Sequence, residues 1–248
     1  MGVGLAAALP RMSAAEPDAA PDFAPALERC TAALLRAQAD AGLHSVLICS
    51  PAAGEGKTTL AFHLARQLAR LGQSVLLLDG HARRPALDEP LGVPRRPGLT
   101  EVLAGDATLE AALHPQSTRE ARPAFIAAGA PAAGHCLHLA AGAAADLLAA
   151  ARARFDWVLV DGPAVAESPE AGLWAGLTDS TWIVAGYRST RRAALRQALA
   201  DLATAGAAHL ALVINRAPAG ALPPGRPLWQ ADSPGSSSAA VATMRARA

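Results

Sequence analysis

A glycine-rich loop between an apolar run and an amphipathic segment is the feature that most limits the fold of this chain. The apolar run covers residues 44–49 (HSVLIC), the loop covers 49–59 (CSPAAGEGKTT), and the amphipathic segment covers 58–71. This order predicts a strand, a phosphate-binding loop and a helix, because glycines allow backbone N–H groups to face an anion that the helix N-terminus also attracts. The alternative is a glycine-rich turn that only caps the helix.

Lys57 lies inside this loop and is the only lysine among the 22 lysine and arginine residues of the chain. Its compact ammonium group would neutralise the β- and γ-phosphates of a nucleotide, a cradle that the planar guanidinium of arginine fits less well. Thr58 would offer its hydroxyl to Mg²⁺, as in the pattern G-x-x-x-x-G-K-[ST]. The first glycine of that pattern is Pro51 here. The predicted nucleotide contacts in the loop are Ala53, Gly54, Glu55, Gly56, Lys57, Thr58 and Thr59.

Apolar runs alternate with helical patterns along most of the chain. The apolar runs are continuous, which is typical of parallel strands that helices bury on both faces. We therefore expect an α/β fold in which a doubly wound, mostly parallel sheet lies between two helix layers, the Rossmann-like three-layer α/β/α arrangement of P-loop NTPases. The predicted strands are 44–49, 74–78, 123–128, 157–160, 180–185 and 209–214, and the predicted helices are 23–41, 58–71, 99–103, 109–113, 143–154 and 190–205.

The two ends of the chain differ in composition from the middle. Residues 1–22 are rich in Ala, Pro and Gly without a period, and we expect them to be a disordered leader. Residues 217–248 are rich in Pro, Gly, Ser and Ala, and we expect a flexible tail. One nucleotide-binding domain, residues 23–216, lies between them.

Charge, hydropathy and cysteine content exclude several classes of protein. A formal net charge of +1 gives no field that would attract nucleic acid, so we expect no nucleic-acid partner. No apolar run reaches the ~18 residues of a membrane-spanning helix. Three cysteines are an odd and sparse set, which argues against a disulfide framework and for a reducing compartment. A cytoplasmic location is therefore expected.

Two aspartates follow apolar runs directly. Asp79 ends VLLLD and Asp161 ends WVLVD. Because α/β sheets bind ligands beyond the carboxyl ends of their strands, we expect both carboxylates to lie beside the loop. There they would hold Mg²⁺ directly or through water. The alternative for each is a helix cap or a turn residue.

Five segments, in this order, resemble the bacterial tyrosine kinase (BY-kinase) family, whose members regulate capsule and exopolysaccharide assembly with a P-loop fold related to partition-type ATPases. Two of them are 53–59 (AGEGKTT), which resembles P-G-E-G-K-[ST]-T, and 79–85 (DGHARRP), which resembles D-x-D-x-R-x-P. The other three are 97–103 (PGLTEVL), which resembles G-L-[ST]-[DE]-x-L, 158–163 (VLVDGP), which resembles V-I-I-D-T-P-P, and 213–216 (VINR).

The resemblance implies ATP and Mg²⁺ as cofactors. It implies catalytic roles for Lys57, Asp79 and the position of His81, with Thr58, Asp79 and Asp161 at the metal. Asn215 corresponds to the family residue that faces adenine, and the alternative is a turn residue.

The resemblance also implies a partner, a membrane-anchored polysaccharide chain-length (co-polymerase) activator. That partner would bring the protein to the inner membrane as a peripheral protein. Whether the chain forms a homo-oligomer stays open.

The sequence departs from the family pattern where the chemistry takes place. His81 stands at the second Asp of D-x-D, and a neutral imidazole does not hold Mg²⁺-bound water as a carboxylate does, although it could accept a proton. The C-terminal tyrosine cluster of the family is absent from this sequence, whose only tyrosine is Tyr187. Two versions stay open: a working ATPase or tyrosine phosphotransferase, and a nucleotide-binding regulator that has lost kinase chemistry.

A partition-type (positioning) ATPase is the alternative functional class. That class carries a signature lysine within the loop, at the position that Ala52 occupies here. The near-neutral charge also gives no surface for docking on DNA. The sequence therefore favours the interpretation linked to polysaccharide export.

Overall fold

A parallel sheet forms the centre of the computed structural model, which describes residues 4–8, 23–117, 122–131, 139 and 142–218. In these residues seven strands pair, all of them in parallel, in the order β1-β7-β6-β2-β5-β3-β4. Strand β2 therefore lies at the centre, between β5 and β6. The strands are β1 (Gly4–Ala8), β2 (Ser45–Ser50), β3 (Val75–Asp79), β4 (Ala124–Ile126), β5 (Trp157–Ala164), β6 (Ser180–Gly186) and β7 (Leu210–Asn215).

Helices cover both faces of the sheet, and the predicted three-layer α/β/α architecture of a P-loop NTPase is confirmed. The first two helices of the chain pack on one face of the sheet, and the fourth to eighth pack on the other face. The described helices are α1 (Phe23–Ala41), α2 (Lys57–Arg70), α3 (Asp88–Leu91), α4 (Leu99–Ala104), α5 (Leu109–Ala112), α6 (Ala143–Arg152), α7 (Glu170–Leu177) and α8 (Arg192–Thr204).

The core is divided into two halves by the sheet itself. Successive residues of a strand point to opposite faces, so Leu47 and Ile48 belong to different halves, and both are fully buried. Ile48 packs in the half that contains Leu64 of α2, and Leu47 packs in the half that contains Trp174 of α7. Since both faces are covered, most strand positions are apolar, which explains the continuous apolar runs; buried polar exceptions such as Ser45, Ser50 and Thr181 lie near strand ends.

The first strand differs from the sequence prediction. Gly4–Ala8 lies inside the segment expected to be a disordered leader, yet it forms β1 and pairs in parallel with β7 at the edge of the sheet. The expectation is wrong for these residues, because an edge strand offers unpaired backbone N–H and C=O groups that a segment of any composition can pair with. The remaining limits of the predicted leader and tail fall mostly outside the described residues and stay predictions.

Helix α7 is another element that the sequence patterns do not indicate. Its residues, EAGLWAGL, include two glycines and have no polar face, which disfavours a helix in isolation. In the folded chain a Cβ atom on Gly176 would lie 2.8 Å from the carbonyl oxygen of Ala205, and Trp174 is fully buried. Tertiary packing therefore stabilises this helix and uses its glycine for close approach.

Candidate nucleotide-binding site

The glycine-rich loop joins the carboxyl end of β2 to the first residue of α2, Lys57. Gly54 and Gly56 have φ angles of 76° and 94°, in the left-handed region that glycine adopts without strain. Within the described chain, the backbone N–H groups of residues 53–56 make no hydrogen bond to the protein. These free donors lie next to the N-terminus of α2, so together they form a cradle for an anion.

Two carbonyl groups of the same loop accept hydrogen bonds from side chains at the carboxyl end of β7. Asn215 Nδ2 donates a hydrogen bond to the carbonyl oxygen of Glu55 (2.8 Å), and Arg216 Nη2 donates to that of Gly54 (2.8 Å). In a trans peptide the C=O of one residue and the N–H of the next point in opposite directions. Holding these two carbonyls outward therefore turns the N–H groups of Glu55 and Gly56 towards the inside of the loop.

Asp161 is the most unusual charged side chain of the site. It is 1% exposed, and within the described residues neither of its carboxylate oxygens has a partner at good hydrogen-bond geometry, the Thr58 hydroxyl being a nearby donor. Burial raises the pKa of its carboxyl to about 7; Lys57 and the Thr58 hydroxyl act to lower this pKa, and Asp79 acts to raise it. A buried carboxylate without donors is costly, and a divalent cation would supply the missing charge. Asp161 and Thr58 therefore fit the magnesium site that the sequence predicts.

The structure places Asp161 within β5 rather than at its end, because the strand continues to Ala164. Its neighbour across the ladder is Asp79, the last residue of β3. The two carboxylates therefore lie side by side at the carboxyl edge, as the sequence predicts.

Asp79 has different surroundings from Asp161. Its buried carboxylate accepts hydrogen bonds from the backbone N–H groups of His81 (3.1 Å), Ala86 (3.1 Å) and Leu87 (3.4 Å). Burial raises its pKa to about 6, against the lowering effect of these bonds. Asp79 therefore shapes the turn after β3, the alternative that the sequence left open, and its role at the metal stays a prediction.

His81 lies beneath the same turn and is 7% exposed. Burial and the charge of Lys57 lower the pKa of its imidazole, whereas Glu167 and Glu170 act to raise it. The ring is therefore neutral at neutral pH and carries no negative charge for a metal. The structure places His81 at the same edge as Lys57 and Asp79, and its catalytic role stays a prediction.

Asn215 has a structural role in the site. In addition to its bond to Glu55, its Oδ1 accepts from the backbone N–H of Arg216 (2.8 Å), and its carbonyl oxygen accepts from the backbone N–H of Tyr187 (2.7 Å). Its amide thus already uses one donor and one acceptor within the protein. The predicted contact of Asn215 with adenine stays a prediction.

Thr190 is a site residue that sequence reasoning missed. Its hydroxyl donates to Glu55 Oε1, while Glu55 Oε2 accepts from the backbone N–H of Ala52 (3.0 Å). Thr190 lies between β6 and α8, 135 positions along the chain from Glu55. No local pattern relates residues at that separation, so the contact exists only in the folded sheet.

The segment 97–103 comprises the turn before α4 and most of that helix. The Glu101 carboxylate accepts from the backbone N–H groups of Gly98 (3.0 Å) and Ala130 (3.2 Å) and from Arg96 Nε (2.7 Å). These bonds hold the turn before α4 against the residues that follow β4. This motif therefore has a structural explanation.

Two features are absent from the described residues. None of their helices is long and apolar enough to cross a membrane. They also contain no group of three or more His, Cys, Asp and Glu side chains that could hold a metal ion. A metal ion at Asp161 would thus draw on hydroxyl, water and phosphate oxygens, which is the usual environment of Mg²⁺.

Comparison with known proteins identifies relatives of this arrangement. A family model described as the CobQ/CobB/MinD/ParA nucleotide binding domain matches residues 46–219. The putative tyrosine-protein kinase EpsB of Ralstonia nicotianae is 30% identical over 185 residues, which cover 74% of this chain and 24% of EpsB. The tyrosine-protein kinase YwqD of Bacillus subtilis is 28% identical over 179 residues, which cover 72% of this chain and 75% of YwqD. The chain thus spans about a quarter of the length of EpsB.

A solved structure shows the same fold. The kinase domain of the Escherichia coli tyrosine kinase ETK superimposes with a TM-score of 0.79 at 20% identity, covering 91% of this chain and 96% of that domain. The resemblance to bacterial tyrosine kinases that the five sequence segments indicate is confirmed by these relatives. Since the family model matches most of the chain, the protein belongs to the CobQ/CobB/MinD/ParA nucleotide-binding family, and its relatives there include bacterial tyrosine kinases.

Proposed function

We propose that this chain binds Mg·ATP, hydrolyses it slowly, and regulates exopolysaccharide or capsule production. The observation that carries the proposal is Asp161, a buried carboxylate without a partner beside a loop of free N–H groups. The nucleotide-binding family supports ATP as the ligand, and relatives that are tyrosine kinases support the process.

The residues of the loop bind and orient the phosphates. The N–H groups of 53–56 donate to phosphate oxygens, and Lys57 neutralises their charge at the N-terminus of α2. Thr58 and Asp161 would hold Mg²⁺, with Asp79 acting directly or through water. The metal, when bound, spreads the charge that develops on the transferring phosphoryl group.

The residue at position 81 affects the rate of ATP hydrolysis that we expect. An aspartate at this position would supply a negative charge near the metal and a base for the incoming nucleophile. A neutral imidazole supplies only the base. The charge that an aspartate would add is lost, while a base that remains contributes about 10²–10⁴-fold to rate, so slow but measurable hydrolysis is the expected outcome.

Tyrosine transfer within the chain is expected to be nearly absent. The only tyrosine, Tyr187, directly follows β6, and its backbone N–H is bonded to Asn215. Attack on the γ-phosphate requires a mobile hydroxyl that can reach in line, which a residue in this position does not offer.

Calorimetric titration with ATP, with and without Mg²⁺, tests the proposal. Wild type should bind ATP more tightly with Mg²⁺, and Asp161→Asn should lose that difference while still binding metal-free ATP. The proposal would be contradicted if the ATP affinity of the wild type were the same with and without Mg²⁺, or if the wild type did not bind ATP.

Hydrolysis and self-labelling with radioactive ATP separate the two versions of the chemistry. The wild type should hydrolyse ATP slowly and label itself weakly, and His81→Asp should hydrolyse faster, because it restores the carboxylate. Rapid tyrosine labelling of the wild type would instead establish a working kinase.

The partner and location belong to the same proposal. We infer a cytoplasmic protein that joins the inner membrane through a membrane-anchored chain-length activator, as the resemblance implies, with no nucleic-acid partner. Whether it acts as a homo-oligomer is left to measurement. Ala52, in place of the signature lysine, argues against the alternative of a positioning ATPase.

A further inference from the structure

We propose that Thr190 is a positioning residue for the nucleotide, which acts by holding the Glu55 carboxylate away from the phosphate cradle. The inference rests on the proposed function, since it concerns the same loop. It adds a residue outside the loop, on the turn between β6 and α8, that none of the sequence motifs includes.

The negative charge of the Glu55 side chain opposes phosphate binding by the loop. The loop has to bind a polyphosphate, yet Glu55 carries a carboxylate in the middle of it, next to the N–H groups of the cradle. A carboxylate that turned into the cradle would repel the phosphates and pair with Lys57 in their place. The structure avoids this by burying the side chain, which is 7% exposed.

Two donors keep the carboxylate in its buried position. The Thr190 hydroxyl donates to one oxygen, and the backbone N–H of Ala52 donates to the other (3.0 Å). The oxygen of Thr190 itself accepts from the backbone N–H of Gly186 (2.7 Å). A hydroxyl has a single proton, and here that proton goes to Glu55 because the carboxylate oxygen accepts, whereas the Gly186 N–H can only donate.

The main chain of Glu55 is held as well. Its carbonyl oxygen accepts from Asn215, and the adjacent carbonyl of Gly54 accepts from Arg216. With the carbonyls held, the contacts of the carboxylate to Thr190 and to the Ala52 N–H determine on which side of the loop the negative charge lies, and of these two only Thr190 donates from a side chain. Removing the hydroxyl would leave a buried carboxylate with one donor fewer, and the charge would gain by moving towards Lys57.

Three variants test this role. Thr190→Val removes the hydroxyl with little change in volume, and Thr190→Ser retains it. Thr204→Val is the matched control, because the Thr204 hydroxyl donates only to the carbonyl of Ala200 in its own helix, α8 (2.9 Å). Affinity for a fluorescent ADP analogue and thermal unfolding without nucleotide are measured for each.

Thr190→Val should weaken the nucleotide about tenfold, equivalent to about 1.4 kcal/mol. Thr190→Ser and Thr204→Val should remain within about twofold of the wild type, since both retain the contact. A Val variant that binds like the wild type would overturn the proposal, as would a Ser variant as weak as Val. A Val variant that fails to fold would assign the hydroxyl to stability and overturn it as well.

A double substitution tests whether Thr190 affects nucleotide affinity through Glu55. In a Glu55→Gln background there is no charge to hold away, so adding Thr190→Val should change affinity by less than about twofold. An equal loss in both backgrounds would show that Thr190 acts independently of Glu55. Failure of the proposed function is distinguishable, because then the wild type itself binds no nucleotide, whatever residue stands at 190.

Discussion

Asp179 lies at the amino edge of the sheet, where the strands begin, and Asp161 lies at the carboxyl edge, and the two differ in what surrounds the carboxylate. At the amino edge, Asp179 Oδ2 accepts from the backbone N–H groups of His44 (2.9 Å) and Ser45 (2.8 Å), and Oδ1 lies 3.1 Å from Arg152 Nη2. At the carboxyl edge, Asp161 is more deeply buried and has no hydrogen-bond partner in the part of the chain that the structure describes. A carboxylate supplied with donors stabilises the fold, whereas one without donors costs stability unless a ligand completes it.

The comparison assigns stability to one edge and ligand binding to the other. The Ser45 hydroxyl at the amino edge donates to Asp179 (2.9 Å) and accepts from Arg152 (2.6 Å), so the carboxylate there is supplied with donors, although Arg152 Nε has no partner in the described residues. The carboxyl edge instead leaves free the donors and acceptors that a metal-bound phosphate requires. Changes at the two edges should therefore affect different properties.

The largest effect is expected at the amino edge. Asp179→Ala leaves two backbone N–H groups and the Arg152 guanidinium without their acceptor. Because each unsatisfied group costs about 1–3 kcal/mol and the site is only half-buried, the free energy of unfolding should fall by about 3 kcal/mol. Urea denaturation measures this, and ATP affinity should not change. If ATP affinity fell while stability did not, the assignment of the two edges would be reversed.

Lys57→Ala is the corresponding test of the carboxyl edge. Charge-assisted hydrogen bonds contribute about 1.5–3 kcal/mol each, so ATP affinity should fall roughly tenfold or more. The free energy of unfolding should stay near that of the wild type. Arg70→Ala is the matched control, since Arg70 is an exposed cation in the last turn of the same helix. Equal ATP affinity of Lys57→Ala and wild type in calorimetry would refute the assignment of the loop.

A smaller effect is expected for Asp161→Asn, which should raise the free energy of unfolding, whereas Asp179→Ala should lower it. The pKa of Asp161 in the folded chain is about 7, above its ordinary value of about 3.9. Between these values the folded protein holds a proton that the unfolded chain has released, so the wild type loses stability as pH rises from about 4 to about 7.

Asn does not titrate, so the variant should be more stable than wild type at pH 8, by about 1 kcal/mol or more, and the difference should vanish near pH 4. Thermal unfolding in the absence of Mg²⁺, across this pH range, measures the difference. A variant less stable than wild type at pH 8 would mean that Asp161 has a protein partner after all.

The smallest effect concerns Asn215, and it separates two roles at the same edge. If its carboxamide forms hydrogen bonds with N6 and N7 of adenine, Asn215→Ala should lower the affinity for ATP more than the affinity for GTP. If it only holds the carbonyl of Glu55, both nucleotides should lose affinity equally, because their phosphates are alike. Parallel titrations with the two nucleotides decide between the roles.

Much of the fold could be predicted from the sequence, for a physical reason that particular elements illustrate. The apolar residues VLIC of β2 and WIVA of β6 indicate strands buried on both faces, and the pattern of α1 indicates a helix because one stripe of it faces the core. Strand β1 and helix α7 could not be predicted in this way. One depends on backbone pairing with β7, and the other depends on the close approach of Ala205 to Gly176.

The candidate site divides in the same way. Lys57, Thr58 and the glycines lie within one loop, so their spacing alone indicates an anion site. The sequence also determines that Asp79 and Asp161 lie at one edge, because parallel strands end on the same side. It does not determine that Asp79 is bonded to three backbone N–H groups and Asp161 to none.

The sequence by itself thus determined the fold class, the loop and the residue types that a nucleotide needs. Only the tertiary structure decided which of the two carboxylates accepts backbone hydrogen bonds, and which distant residues hold the loop. Thr190 and Asn215 are separated from Glu55 by 135 and 160 positions, and they reach it because β6 and β7 follow β2 across the sheet. Strand order is set by the packing of the whole chain, and hydrogen bonds between strand ends therefore leave no local signal in the sequence.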